Sequence, residues 1–293
     1  MLFVSNCLCL SLYLLMSINY RWCCCSILVH PIGVEANAWP DFSPSSYSYR
    51  YRRDGLPNNN EVDLGTTLVA IKYSQGVIVA ADTRTSVGGY VSNKFAYKIN
   101  PIFELEGNAD DGYDSDSSAV SSSCVLCRSG SAADTQWLAQ NAKRQFGKRS
   151  LERPNYRPTI KEVAYFLRYL VRDTQNQDST SLQASLICAG YDAVERKGQI
   201  HCVTPGGSVW EEDDFCVSGS GSTILLGYLD SLFDTKNVSS TYTEEETIEL
   251  VAKLLRLSIS RDGSSGGLIR LYVINKNGLK EHTFFPKNPT ASS

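Results

Sequence analysis

The sequence predicts an α+β layered domain, on three observations. Apolar, strand-like runs bounded by turn residues lie at both ends of the chain beyond residue 60, the helical patterns are grouped between them, and strict β-α alternation is missing. With 293 residues, 42% of them apolar, the chain is long enough to bury a sizeable core.

Taken in order, residues 37–61 are polar and irregular, rich in Pro, Ser, Tyr, Arg and Asn, the composition of a linker or a removable leader. Residues 67–73 and 77–81 are then two apolar runs with a turn at residues 74–76. Further strand-like runs cover residues 124–127, 184–190, 199–203 and 267–274. The last pairs with residues 279–285 through Asn277 and Gly278, a strong hairpin signal.

Helices are expected between these runs. Thr159 and Glu162 form a capping box, after which Ile160, Val163, Ala164, Leu167, Leu170 and Val171 recur at helical spacing. Thr243 and Glu246 open a second helix carrying Ile248, Val251, Ala252, Leu255 and Ile259. Two more are expected over residues 133–146, ending at Gly147, and over residues 223–233. Residues 104–123 are acidic and Ser-rich without periodicity, so they read as a solvated, mobile loop.

Bulk properties exclude several functions. A net charge of -3, from 28 basic and 31 acidic residues, leaves no electrostatic footprint for nucleic acid or an anionic membrane. Five of the ten cysteines fall within the first 25 residues and the rest are spread out, which is no disulfide framework. Cys124 and Cys127 form a lone C-x-x-C, and with three histidines in the chain it lacks the partners of a zinc site. Reduced thiols of a cytosolic type are therefore expected beyond residue 65. Residues 2–19 are apolar, yet no Lys or Arg precedes them and Ser5 and Asn6 interrupt them. They read equally as a targeting segment, part of a pro-segment or an extension upstream of a start at Met16.

The chemistry has to be found without the usual signatures, since G-x-S-x-G, H-E-x-x-H and the phosphate-binding glycine loop are all absent. With so few histidines, a nucleophile needs another base. A threonine exposed by cleavage supplies both, because its α-amine has a pKa of about 8. In "EVDLGTTLVAIKYSQGVIVAAD" a Gly-Thr-Thr stands at the edge of the first clean strand. Gly65 lacks a Cβ, so its carbonyl can be brought to the Thr66 hydroxyl, and cleavage between them would be the first acyl transfer. Taken alone, such a tripeptide also fits a plain strand start.

The wider sequence adds to this. "GVIVAADTRTSVGGYVSNKFAYKI", "CRSGSAADTQ", "SGSGSTILLGYLD" and "RDGSSGGLIRLYVI" resemble, in order, four blocks of the proteasome beta subunits. The likeness runs from Thr66 to about Phe285. It implies a four-layer αββα sandwich of the N-terminal nucleophile hydrolase kind, with residues 1–65 a leader removed on maturation and 66–293 the catalytic domain. Thr66 matches the nucleophile, and Asp82 and Lys98 match the acid and lysine of the site, where the Lys98 charge would favour loss of the hydroxyl proton. Ser220, Asp262 and Ser265 match the groups that hold the amine and hydroxyl of the nucleophile. Gly130 matches the position whose N–H faces the oxyanion.

Arg128 matches the floor of the primary pocket in the beta-1, caspase-like type, where a guanidinium would bind an acidic side chain. Substrate would add as a strand between Thr85, Ser86 and residue 87 on one side and Gly130 to Ala132 on the other. The resemblance implies a threonine endopeptidase of the 20S core particle in ubiquitin-dependent degradation, cutting after acidic residues, in cytoplasm and nucleus. It would need no metal or organic cofactor. Its partners would be other alpha and beta subunits in stacked rings, regulatory particles and unfolded polypeptides, without nucleic acid or stable membrane association. The alternative is a catalytically silent beta subunit needed for ring assembly. Residues 104–123 are an insertion relative to the family, between Lys98 and Arg128.

Overall fold

A computed structural model of the chain describes residues 65–87, 90–105, 120–153, 156–178, 182–235 and 241–285. The chain divides into two units, residues 1–54 and 55–293, and every described residue lies in the second. The expected leader, Gly65 apart, thus falls outside the described residues.

Two five-stranded antiparallel sheets form the centre. The first contains β1 (Leu68–Tyr73), β2 (Gly76–Asp82), β10 (Phe215–Ser218), β11 (Ile269–Asn275) and β12 (Gly278–Phe284), in the order β10-β1-β2-β11-β12. The second contains β5 (Ile99–Leu105), β6 (Ser122–Gly130), β7 (Ala184–Asp192), β8 (Lys197–Val203) and β9 (Val209–Glu212), in that order. Two short strands, β3 (Thr85–Val87) and β4 (Tyr90–Asn93), pair with each other.

Helices cover both outer faces. Leu138 and Phe146 of α1 (Ala132–Glu152) and Val163 and Leu167 of α2 (Ile160–Asp178) pack on Leu126 and Leu186 of the second sheet. Leu225 and Leu229 of α3 (Ser222–Thr235) and Val251 and Leu255 of α4 (Glu244–Arg261) pack on Val69, Ile71 and Ile78 of the first. Between the sheets lie Leu68, Ala70, Val125, Cys127 and Ile187. This is the αββα sandwich, and it explains why β1 and β2 read as unbroken apolar runs: both faces of each strand are covered, so alternation disappears.

Local signals behaved as chemistry dictates, with exceptions. The Thr159 hydroxyl accepts the Glu162 N–H and the Glu162 carboxylate accepts the Thr159 N–H, and Thr243 and Glu246 do the same. Gly278 turns the last hairpin with φ of 106°. Gly147, however, does not end α1, which continues to Glu152. A mid-helix glycine costs about 1 kcal/mol, and tertiary contact offsets that. Phe146 is fully buried, edge-on to Phe166 at 5.7 Å.

The edges of the acidic segment are strand rather than the expected loop. Glu104 and Leu105 pair with Ser123 and Ser122, extending the β5–β6 hairpin, while residues 106–119 lie outside the described residues. Ile99 pairs with Cys127 at the hairpin's other end, about 20 Å away at the rise of a strand. The segment therefore leaves the hairpin at the end remote from Lys98 and Arg128.

Cys202 of β8 and Cys216 of β10 face each other across the two sheets with Cα atoms 7.2 Å apart, wider than a disulfide spans, while Cys124, Cys127 and Cys188 are free and buried. Sheet stacking makes this juxtaposition, and cysteine spacing along the chain does not reveal it.

Candidate active site

The turn entering β1, the end of β2 and the segments after β10 and α4 converge on Gly65 and Thr66. Thr66 is 5% exposed. The carbonyl oxygen of Gly65 accepts two hydrogen bonds, from Thr66 Oγ1 at 2.7 Å and from Lys98 Nζ at 3.1 Å. The peptide bond between the two residues is thus held by its own hydroxyl and by a cation. An added Cβ on Gly65 would lie 2.0 Å from Ser264 Cβ and 2.4 Å from the Ser264 carbonyl, so this approach requires glycine.

Lys98 and Asp82 form a buried ion pair, Nζ to Oδ1 at 2.8 Å, with side chains 8% and 0% exposed. Asp82 also accepts the N–H groups of Thr67 at 2.9 Å, Gly266 at 2.9 Å and Arg84 at 3.2 Å. Burial lowers the Lys98 pKa below that of a free lysine, against the opposing pull of Asp82. Its ammonium gives up a proton more readily than usual.

On the other side, the Thr66 N–H donates to Ser220 Oγ at 3.1 Å. Asp262 Oδ2 accepts from Ser220 and Ser265, each at 2.6 Å. Burial alone would raise the Asp262 carboxyl; the bonds from Ser220, Ser265 and the Ser264 N–H, with the Lys98 charge, outweigh it and hold the pKa below the ordinary value. Of the three expected holding groups, Ser220 touches Thr66 and Asp262 acts through it. Ser265 touches Thr67 instead, Oγ to Oγ1 at 2.8 Å.

Arg128 is 8% exposed. Nε donates to Asn100 Oδ1 at 2.6 Å, Nη1 to Thr135 Oγ1 at 2.9 Å and Nη2 to the Tyr97 carbonyl at 2.6 Å. Among the described residues it forms no ion pair, and burial lowers its pKa. Its own N–H donates to the Lys98 carbonyl at 2.9 Å, tying this group to the cluster around Thr66. Gly130 ends β6 with φ of 104°, and a Cβ there would meet the Gln183 carbonyl at 2.2 Å. Ala132 opens α1 and its carbonyl accepts from Thr135, the residue that holds Arg128. Thr85 and Ser86 lie on β3, paired with β4, and are joined to the cluster through the chain at Asp82 rather than by a described contact.

Thr67, Ser258 and Gly266 belong to the site and were not read from the sequence. Thr67 Oγ1 lies 2.6 Å from Ser258 Oγ, and its backbone helps fix Asp82. Among the described residues one group, Cys202, Glu212 and Cys216, brings three ligand-type atoms within 4.8 Å of one another, fewer than the four ligands of a structural zinc site. No helix among the described residues is long and apolar enough to cross a membrane.

A two-sheet sandwich between helices, with a threonine entering its first strand beside a buried Lys–Asp pair, defines the N-terminal nucleophile hydrolase fold. A family profile described as "Proteasome subunit" matches residues 62–105 and 117–274. The chain is 37% identical over 230 residues to "Proteasome subunit beta type-6" of Dictyostelium discoideum, covering 78% of this chain and 93% of that protein. It is 34% identical over 233 residues to "Proteasome subunit beta type-1" of Saccharomyces cerevisiae, covering 77% and 91%. Over 225 residues it is 32% identical to "Probable proteasome subunit beta type-1" of Schizosaccharomyces pombe, covering 77% and 86%. The chain belongs to the proteasome subunit family, among its beta subunits, which assemble with other alpha and beta subunits in a stacked-ring core.

Proposed function

We propose that this chain is a self-processing threonine endopeptidase subunit of the 20S core, cutting after acidic residues. The observation that carries the reading is the Gly65 carbonyl, which receives the Thr66 hydroxyl and the Lys98 ammonium together. Before processing, the Thr66 nitrogen is an amide and cannot act as a base. Lys98 polarises the carbonyl, Thr66 Oγ1 adds to the Gly65 carbonyl carbon, and the hydroxyl proton passes to the nitrogen, which becomes basic once the carbon is tetrahedral, as the carbon–nitrogen bond breaks. Water then hydrolyses the ester, releasing Gly65 as a carboxylic acid and freeing both the hydroxyl and the amine of Thr66.

Later turnovers use the same parts. Thr66 Oγ1 attacks the substrate carbonyl, its amine accepts the proton through a water, and Ser220 with Asp262 orients that amine. The Gly130 N–H receives the oxyanion, and water clears the acyl-enzyme. Arg128, buried and without an ion pair among the described residues, supplies attraction for a Glu or Asp side chain through N–H groups its three bonds leave over. β3 and the Gly130 to Ala132 segment would flank the substrate strand. On this reading the chain acts in cytoplasm and nucleus, with regulatory particles delivering unfolded polypeptides.

Intact mass and N-terminal sequencing of the chain from assembled particles test the first cut, and a peptide series differing at the residue before the scissile bond tests the second claim. The expected results are a chain beginning at Thr66 and cleavage after Glu. A chain that retains Gly65 would instead make it a silent ring component.

A further inference from the structure

The site is divided between two sheets. Thr66, Asp82 and Ser220 are carried by the turn into β1, by β2 and by the segment after β10, all of the first sheet. Arg128 and Gly130 sit on β6 of the second. Acyl transfer requires the nucleophile and the oxyanion donor to be fixed relative to each other, yet the layer between the sheets is mostly apolar, and apolar contact has no direction.

We propose that Ser129, Ser185 and Ser218 form a hydroxyl bridge that sets this register, and that they are positioning residues for the reaction proposed above, on which the inference rests. Ser218 Oγ lies 2.9 Å from Ser129 Oγ and 2.8 Å from Ser185 Oγ, and Ser129 Oγ donates to the Ser185 carbonyl at 3.1 Å. Ser129 and Ser218 are 4% and 9% exposed, so these hydroxyls are removed from water and are satisfied by one another.

The covalent neighbours give the bridge its consequence. Ser129 directly precedes Gly130. Ser218 pairs with Leu68 of β1 and directly precedes Gly219, whose backbone packs so closely that an added Cβ would lie 2.0 Å from the Thr66 carbonyl oxygen. One residue further is Ser220, which receives the Thr66 N–H. Beside the Lys98–Asp82 pair, which also joins the two sheets, this bridge couples the turn bearing the oxyanion donor to the strand that seats the nucleophile, and hydrogen bonds are sensitive to angle and distance in a way packing is not.

The test uses assembled particles carrying Ser218→Ala, Ser129→Ala or both, with mature sites counted by intact mass. Each single change is expected to lower kcat for an acidic-site peptide about five- to tenfold with KM altered less than about twofold. The double variant is expected to be no worse than the more affected single, because both cut one bridge. Unchanged kcat per mature site, with only particle yield or thermal stability reduced, would overturn the proposal, as would strictly multiplicative losses in the double variant. If Ser218→Ala does not assemble, Ser129→Ala decides alone through the same split of kcat from KM. Wild-type particles that retain the leader or do not cut after Glu would refute the proposed function, whereas active wild type with indifferent variants would refute the bridge only.

Discussion

Replacing Gly65 by alanine should nearly halt self-processing. The new Cβ would sit 2.0 Å from Ser264 Cβ and 2.4 Å from both the carbonyl carbon and oxygen of Ser264. Carbon atoms rest at about 3.5 Å or more, so residue 65 or the Ser264 segment must move by at least about 1 Å. Two of the three atoms met are backbone, and a rotamer change cannot relieve them. Displacement of that size takes the carbonyl away from Thr66 Oγ1, now 2.7 Å from the oxygen, and from Lys98 Nζ at 3.1 Å. Misplacing a reacting group by about 1 Å costs roughly a hundredfold in rate. A time course of intact mass, following loss of the leader from newly assembled chain, measures it directly. Processing of Gly65→Ala within about threefold of wild type would refute the steric argument and with it the claim that the observed geometry is the reactive one.

Other outcomes follow from the same contacts. Arg128→Ala should lower the preference for Glu over a neutral residue by about 10- to 100-fold, the range for hydrogen bonds to charged groups, read from kcat/KM on paired peptides. Arg128→Lys should recover little of it, since an ammonium cannot replace the fork held by Asn100, Thr135 and the Tyr97 carbonyl. Asp82→Asn leaves Lys98 buried without its partner and should destabilise the chain by about 3–5 kcal/mol in urea unfolding of the purified precursor. For Asp262, the folded pKa is depressed, so its contribution to stability is present above the ordinary value of 3.8 and is lost as pH falls through the lower folded value. Urea midpoints of wild type should therefore drop more steeply at acid pH than those of Asp262→Asn, and parallel curves would contradict the assignment.

What was legible in the sequence follows from range. Capping boxes, the Asn277-Gly278 hairpin and the doubly covered strands are local patterns, and each appears where local chemistry puts it. Thr66 could be reasoned as a candidate nucleophile from the scarcity of histidine, but Asp82, Lys98, Ser220, Asp262 and Ser265 were reached through ordered blocks of resemblance. Thr67 and Ser258 carried no such signal, because their contact spans 191 residues. β3, β4, β9 and β10 have three or four residues each, too few for a period to register. Gly147 misled in the opposite way: a breaker by propensity, it is overruled by the packing of Phe146.

On the proposed mechanism, the wiring around Thr66 would also make the first cut a sensor of completed folding. Its N–H bonds a serine 154 residues away, and the neighbouring Thr67 bonds Ser265 across 198 residues. The sheet that seats both joins the first two strands to the last two, so these contacts form only after nearly the whole domain is in place, and contacts of such long range form slowly. A nascent or misfolded chain holds the same threonine with no lysine or serine around it. Such a chain would stay chemically inert, and an unlocked N-terminus would become a record that β1 and β11 have found the same sheet.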